Sequence, residues 1–197
     1  MKKGCLIAVV AVVVIVLGCF VWVKNTYNGF VSQQEGVDAA WSQVENVYQR
    51  RADLIPNLVA TVKGYAKHEQ ETLDKVVSAR AKATQITVDP ENLNEASLKK
   101  YQEAQGELGS ALGKLLAITE NYPDLKANEN FLQLQSQLEG TENRIAVERK
   151  NFNEMAQSYN ASIRQFPGNM LAGMFGFERK PYFEAEKGAE KAPEVNF

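Results

Sequence analysis

His68 is the only histidine in the chain, and with Glu69 and Glu71 it forms a short run of side chains able to bind a metal or move a proton. Transition-metal sites ask for a second nitrogen or sulfur ligand, which this run lacks, so His68 reads as a solvent-facing histidine and the two glutamates as a solvated face. Cys5 and Cys19 are the only thiols. Both lie in one apolar run, which leaves the rest of the chain without disulfide or thiolate chemistry. No P-loop, dinucleotide-binding glycine pattern or nucleophile elbow occurs, and the Gly-x-x-Gly spacing of Gly106 and Gly109 falls inside a helical pattern rather than in a phosphate cradle. The expectation is therefore no catalytic residue, no cofactor and no metal. The densest polar cluster is Arg50, Arg51, Asp53 and Asn57 around Pro56. It reads as a capped corner between two helices, with Asp53 favoured by the second helix's dipole and paired with an arginine; the functional alternative is a docking point for a partner.

The elements that position these residues begin with the apolar run. Cys5 to Val23 holds nineteen consecutive uncharged residues behind Lys2 and Lys3. At ~1.5 Å per helical residue it reaches about 28 Å, close to the hydrocarbon thickness of a bilayer. Residues 1–24 are thus expected to be a single transmembrane anchor, with Trp22 at the interface. Val16-Leu17-Gly18-Cys19 resembles a lipobox, so a lipoprotein anchored at Cys19 is the alternative. Phe20-Val21-Trp22-Val23 continues the apolar helix where a lipoprotein signal would pass into a polar tether, which favours the retained span. The amino terminus, Lys2 and Lys3 outweigh the lone Lys24 on the other flank, so the positive-inside rule keeps the amino terminus cytoplasmic and the soluble part outside.

Of 22 basic residues, removing Lys2 and Lys3 leaves 20 against 24 acidic ones, so the water-facing part is mildly acidic. Nucleic acid is not an expected partner. Its length suits one domain with a real core. Tyr27, Phe30, Gln34, Val37, Trp41, Val44, Tyr48, Arg51 and Ile55 step by three and four, the stripe of one helix continuing from the membrane. Pro56 predicts a break or a kink near Leu54-Ile55-Pro56. A second stripe follows through Leu58, Val62, Tyr65, Leu73, Val76 and Arg80, and Gln85–Val88 reads as a connection. Asp89-Pro90 reads as cap and first turn of a third helix, with Leu98, Tyr101, Gln105, Leu108, Leu112, Leu115 and Thr119 facing inward until Tyr122-Pro123. A fourth helix, capped by Asn128, carries Phe131, Leu134, Leu138, Thr141, Ile145, Glu148, Phe152, Met155, Tyr159, Ser162 and Phe166 up to Pro167-Gly168. Gln34, Arg51 and Glu148 are polar where apolar residues would pack better.

These periods predict an all-α fold: a transmembrane helix continuing into an antiparallel bundle of about four long helices over residues 25–168, then a tail, 169–197. Gly106, Gly109, Gly113 and Ala117 share one face of the third helix. Each glycine costs about 1 kcal/mol relative to alanine there, so close approach of another helix is one reason for them, and a locally weak helix the other. The tail opens with Met170, Leu171, Met174, Phe175 and Phe177. Its glycines argue against a rigid amphipathic helix; it either caps the bundle or touches a membrane surface or a second subunit. The last long helix cannot bury its stripe against one short neighbour, so a homo-oligomer is expected.

The chain is identified as resembling the LemA family through Tyr27-Asn28, Ala40-Trp41, Gln49–Val59, Val62–Glu69, Glu142–Ala146, Tyr159-Asn160, Phe166-Pro167, Gly173–Phe177 and Tyr182-Phe183. The resemblance spans nearly the whole sequence. It implies a helical bundle on a bacterial membrane, and its relatives include a magnetosome-associated protein, which points to membrane organisation. It brings no catalytic residue. The function expected is a non-enzymatic scaffold at the bacterial cytoplasmic (inner) membrane, partnered by the lipid bilayer and by itself; the alternative is an adaptor for a membrane protease or signalling protein.

Overall fold

The computed structural model describes residues 2–66 and 68–184. The tail from 185, with Pro193, and the side chains of Lys2, Lys3 and Cys5 lie outside the described residues. Among those described the protein is all-α: α1 (Lys2–Tyr65), α2 (Gln70–Gln85), α3 (Glu95–Thr119), α4 (Pro123–Lys126), α5 (Glu129–Arg164) and α6 (Gly168–Phe175), with a 3-10 turn at Pro90–Asn92 and no strand. Two compact units form, one from the chain up to Ala40 with Glu154–Lys180, the other from Trp41–Asn153 with the chain from Pro181.

In the second unit, side-chain contacts fix an up-and-down order. Trp41 Nε1 donates to the Val88 carbonyl just past α2 (3.2 Å), so α2 returns along α1. Tyr101, early in α3, meets the Trp41 ring at 5.2 Å, and Tyr122, beyond the end of α3, donates its hydroxyl to Glu69 at the start of α2 (2.9 Å). α3 therefore reverses α2. α5 starts where Asn128 donates to the Tyr65 hydroxyl (2.9 Å) and comes back to Phe152, 5.7 Å from Trp41. The expected stripes supply the core between these helices: Ile55, Leu58 and Val62, Leu73 and Val76, Leu108, Leu112 and Leu115, Phe131 and Leu138. Asn128 also caps α5, its Oδ1 accepting from the Phe131 amide at 3.0 Å.

Three boundaries differ from the sequence expectation. The helix does not break at Pro56 but runs on to Tyr65, so the corner expected there does not exist. An internal proline costs about 3 kcal/mol, yet Ile55, Leu58 and Val62 are all fully buried, and each such side chain contributes about 1.5–3 kcal/mol. The carbonyl that Pro56 leaves without its i+4 donor, that of Ala52, accepts from Arg80 Nε at 2.7 Å. Asp89-Pro90 opens only the 3-10 turn. The cap of α3 is Asn94, whose Oδ1 accepts from the Ser97 amide while Ser97 Oγ accepts from the Asn94 amide, both at 3.0 Å. Two reciprocal bonds outweigh the single turn that a first-turn proline favours. The glycine-rich start of the tail is a helix after all: Gly176 closes α6 in the left-handed region (φ 75°), a conformation that costs glycine nothing.

Along α5 the stripe also drifts. Beyond Phe152 the buried positions are Ala156, Tyr159, Asn160 and Ile163, whereas Met155 and Phe166 face out. Of the three polar stripe residues only Arg51 is buried; Gln34 and Glu148 are half-buried at the edge, and Tyr65 is exposed.

The first unit packs Phe30 and Val37 of α1 with Ala156, Tyr159 and Ile163 of α5 and Leu171 and Ala172 of α6. Ser162 donates to Gln33, and Lys180 Nζ pairs with Asp38 at 3.0 Å. The Asn160 side chain holds the backbone of Lys180 at both ends, accepting from its amide (2.9 Å) and donating to its carbonyl (2.8 Å). Asn153 does the same to Phe183 in the second unit (2.8 and 3.0 Å). Such a clamp satisfies both backbone polar groups of a residue that lies in neither helix nor sheet.

Candidate functional site

The second unit contains an open cavity of about 960 Å³. Gly106, Gly109 and Gly113 of α3 form one wall, Glu139, Glu142 and Arg149 of α5 the other, and Tyr48 and Arg51 of α1 belong to the lining. The glycines thus create room, and among the described residues no helix presses on them. A Cβ at Gly106 or Gly113 would meet nothing within 4 Å, and one at Gly109 would lie 3.8 Å from Arg51 Nη1. Ala117, further along α3, is exposed outside the lining.

Arg51 is the buried polar centre of this site, with 3% of its surface exposed. Its Nη1 donates to Glu142 Oε1 at 2.9 Å, and Nη2 donates to Gln105 Oε1 at 2.7 Å and to the Gln105 carbonyl at 3.0 Å. Its guanidinium lies 5.0 Å from the Tyr48 ring centroid. Gln105 Nε2 in turn reaches the Ala83 carbonyl at 3.5 Å, so one guanidinium ties α1 to α3 and α5, and through Gln105 to α2. A buried charge must be met by partners of this kind. One nitrogen, Nε, is buried without a partner. Nearby, burial first, then the charges of Tyr48 and Glu45, pushes the Tyr101 hydroxyl well above the usual phenol range.

The other members of the polar cluster face outward. Arg50, Asp53 and Asn57 are exposed, and Asp53 accepts from Gln49 at 2.7 Å in place of the expected arginine. The cluster splits because a continuous helix turns 100° per residue, so Arg51 faces the core while Arg50 cannot. At one end of the cavity Gln102 and Arg149 both donate to the Glu184 carbonyl (2.9 and 2.8 Å), and Arg149 stacks 5.0 Å from the Phe183 ring. Sequence reasoning placed Gln105 on the inner stripe and Glu142 in a family-like motif without joining either to Arg51. Helical periodicity reports a face, never the partner across it.

Of the tail residues expected at an interface, Met170, Met174 and Phe175 are exposed, Phe177 is half-buried and Leu171 is packed inside its unit. His68 is exposed in the link between α1 and α2. Among the described residues no three His, Cys, Asp or Glu side chains converge as metal ligands. The site can seat a chain segment: small residues on one wall, and Lys99, Glu103, Glu139 and Arg149 of both signs in its lining.

One helix among those described, α1, is long and apolar enough to cross a membrane, near its amino-terminal end. The chain is similar to magnetosome protein MamQ of Magnetospirillum gryphiswaldense, 30% identical over 184 residues, covering 85% of this chain and 67% of that protein. Magnetosome protein MamQ 2 of Paramagnetospirillum magneticum is 29% identical over the same length, with the same coverage. Protein LemA of Metamycoplasma hominis is 27% identical over 175 residues, covering 88% of this chain and 76% of the relative. The LemA family model matches residues 40–197, most of the bundle and the tail, and with the helical architecture this establishes that the chain belongs to the LemA family.

Proposed function

We propose that the protein is a non-catalytic scaffold anchored in the bacterial cytoplasmic membrane by residues 5–23, with its soluble part outside the cytoplasm, and that it works as a homo-oligomer. The observation that carries the reading is the contrast along α1. Leu6 to Phe20 stands exposed at about half to two thirds of each large apolar side chain, whereas Val37, Trp41, Val44 and Ile55 on the same helix are fully buried. Water cannot favour such a stretch, and lipid does. Likeness to magnetosome proteins supports a membrane-organising task. The glycine-walled cavity supports self-association, because small residues on a helix face let a second helix approach.

The adaptor reading, in which a membrane protease or signalling protein docks, draws on the same cavity, whose mixed charges and small wall suit a foreign segment equally. Cross-linking in native membranes separates the two: a scaffold gives a ladder of multiples of this chain, an adaptor one heterologous band. A monomeric mass for the full chain in mild detergent, with no ladder in membranes, ends the scaffold reading. Protease protection of the soluble part in sealed inner-membrane vesicles tests the orientation.

A further inference from the structure

We propose that α6 is a second, non-spanning membrane contact, lying in the headgroup region with its outer face in lipid. Met170 and Met174, one helical turn apart on α6, are exposed by 66% and 74%, and Phe166, in the turn that leads into α6, by 81%. The opposite face, Gly168, Leu171 and Ala172, is buried. Three large apolar side chains exposed in one short segment exceed what scattered surface hydrophobics produce, and they call for a covering phase.

The position of α6 within its unit names that phase. Tyr27 of α1 meets Phe175 at 5.0 Å and Phe177 at 5.5 Å, edge to face, and Phe30 meets Phe177 at 5.3 Å. Gly168 brings the start of α6 so close to Phe30 that a Cβ there would sit 3.0 Å from the ring. Tyr27 is four residues beyond Val23, the last residue of the apolar run, or about 6 Å along the helix axis. A helix pinned at that height cannot avoid the headgroups if the run is in the bilayer, whichever side of the membrane it emerges on. An interfacial helix buries its apolar face about 5–10 Å into the headgroup and acyl boundary, which is the depth this contact sets. Exposed Arg164 and Arg179 flank α6, against one exposed acid, Glu178, a balance that suits anionic headgroups. Methionine and phenylalanine adapt to a fluid surface.

The inference rests on residues 5–23 spanning the bilayer, and the test reads both. The full chain carries one nitroxide at a time in liposomes: on native Cys19 in a C5S background, and on M170C, M174C or K126C in a C5S/C19S background, Lys126 being an exposed site of the other unit. Collisions with oxygen, which concentrates in lipid, are compared with those of a water-soluble nickel chelate. The expected result is an oxygen-to-nickel ratio several-fold higher on M170C and M174C than on K126C, approaching that of Cys19. If Cys19 gives the high ratio while M170C and M174C match K126C, α6 is in water and the inference falls while the anchor stands. If both reagents are excluded from M170C and M174C, protein covers the face and the inference falls. A low ratio at Cys19 removes the anchor and the inference together.

Discussion

Arg51→Ala separates two accounts of what holds the second unit together. The guanidinium makes two bonds to Gln105, at 2.7 and 3.0 Å, and one to Glu142, at 2.9 Å. Bonds to a charged group contribute about 1.5–3 kcal/mol each when buried, but the Glu142 side chain is 48% exposed, so its ion pair is screened and adds at most about 1 kcal/mol. Removing Arg51 also recovers several kcal/mol of desolvation. Set against that gain, the Gln105 side-chain oxygen loses its donor, at about 1–3 kcal/mol, while the Gln105 carbonyl lies inside α3 and keeps its helical donor, so the net loss is about 1–3 kcal/mol. Glu142→Gln should cost no more than about 1 kcal/mol, because water replaces the lost charge. Gln105→Ala removes the side-chain acceptor but keeps the backbone carbonyl and Glu142 as partners, and should cost about 1–3 kcal/mol. Urea unfolding of the full chain in mild detergent, followed by fluorescence of Trp41, which is fully buried, gives each value. Double-mutant cycles then apportion them: coupling of Arg51 with Gln105 should exceed about 1.5 kcal/mol, and coupling with Glu142 should stay below about 1 kcal/mol. The reverse order would refute the claim that buried neutral acceptors, rather than the ion pair, hold the guanidinium.

Gly168→Ala forces Phe30 aside and should lower stability by about 1–3 kcal/mol, with Phe30→Leu in the same chain recovering part of the loss in thermal melts. Pro56→Ala restores the amide that Ala52 lacks, so it should be neutral or stabilising in the same melts, and Arg80→Met should then cost less than it does with Pro56 present. Burial, then the negative charges of Asp38 and Glu178, raises the Tyr159 hydroxyl to about 12. Its folded value lies above its ordinary one of 10.0, so this contribution is complete below that pH and is lost as pH rises towards 12. Tyr159→Phe should flatten the fall in stability over that alkaline interval, and an unchanged slope in denaturation series would exclude Tyr159 as its source.

The stripe of three-and-four spacings in α1, α3 and α5 was legible because helical burial is periodic, and the cap of α5 at Asn128 was legible because its side chain serves its own backbone. The fate of Pro56 was not. Proline's penalty is local, whereas Arg80, which answers the freed carbonyl from another helix, is 24 positions away and carries no mark of that duty. The split of Arg50 from Arg51, and the union of Arg51 with Gln105 and Glu142, were hidden for the same reason. Asn153 and Asn160 gave no sign that they would grip the backbone of the tail.

From the sequence alone came the apolar run, the helical class and the resemblance to the LemA family, since composition, period and motif are properties of neighbours along a chain. Only the tertiary structure decided that the glycines of α3 open a cavity and that Met170 and Met174 stand out while Leu171 turns in. Those outcomes depend on which surfaces meet across space, and a stripe of small or apolar residues is compatible with several meetings until packing selects one.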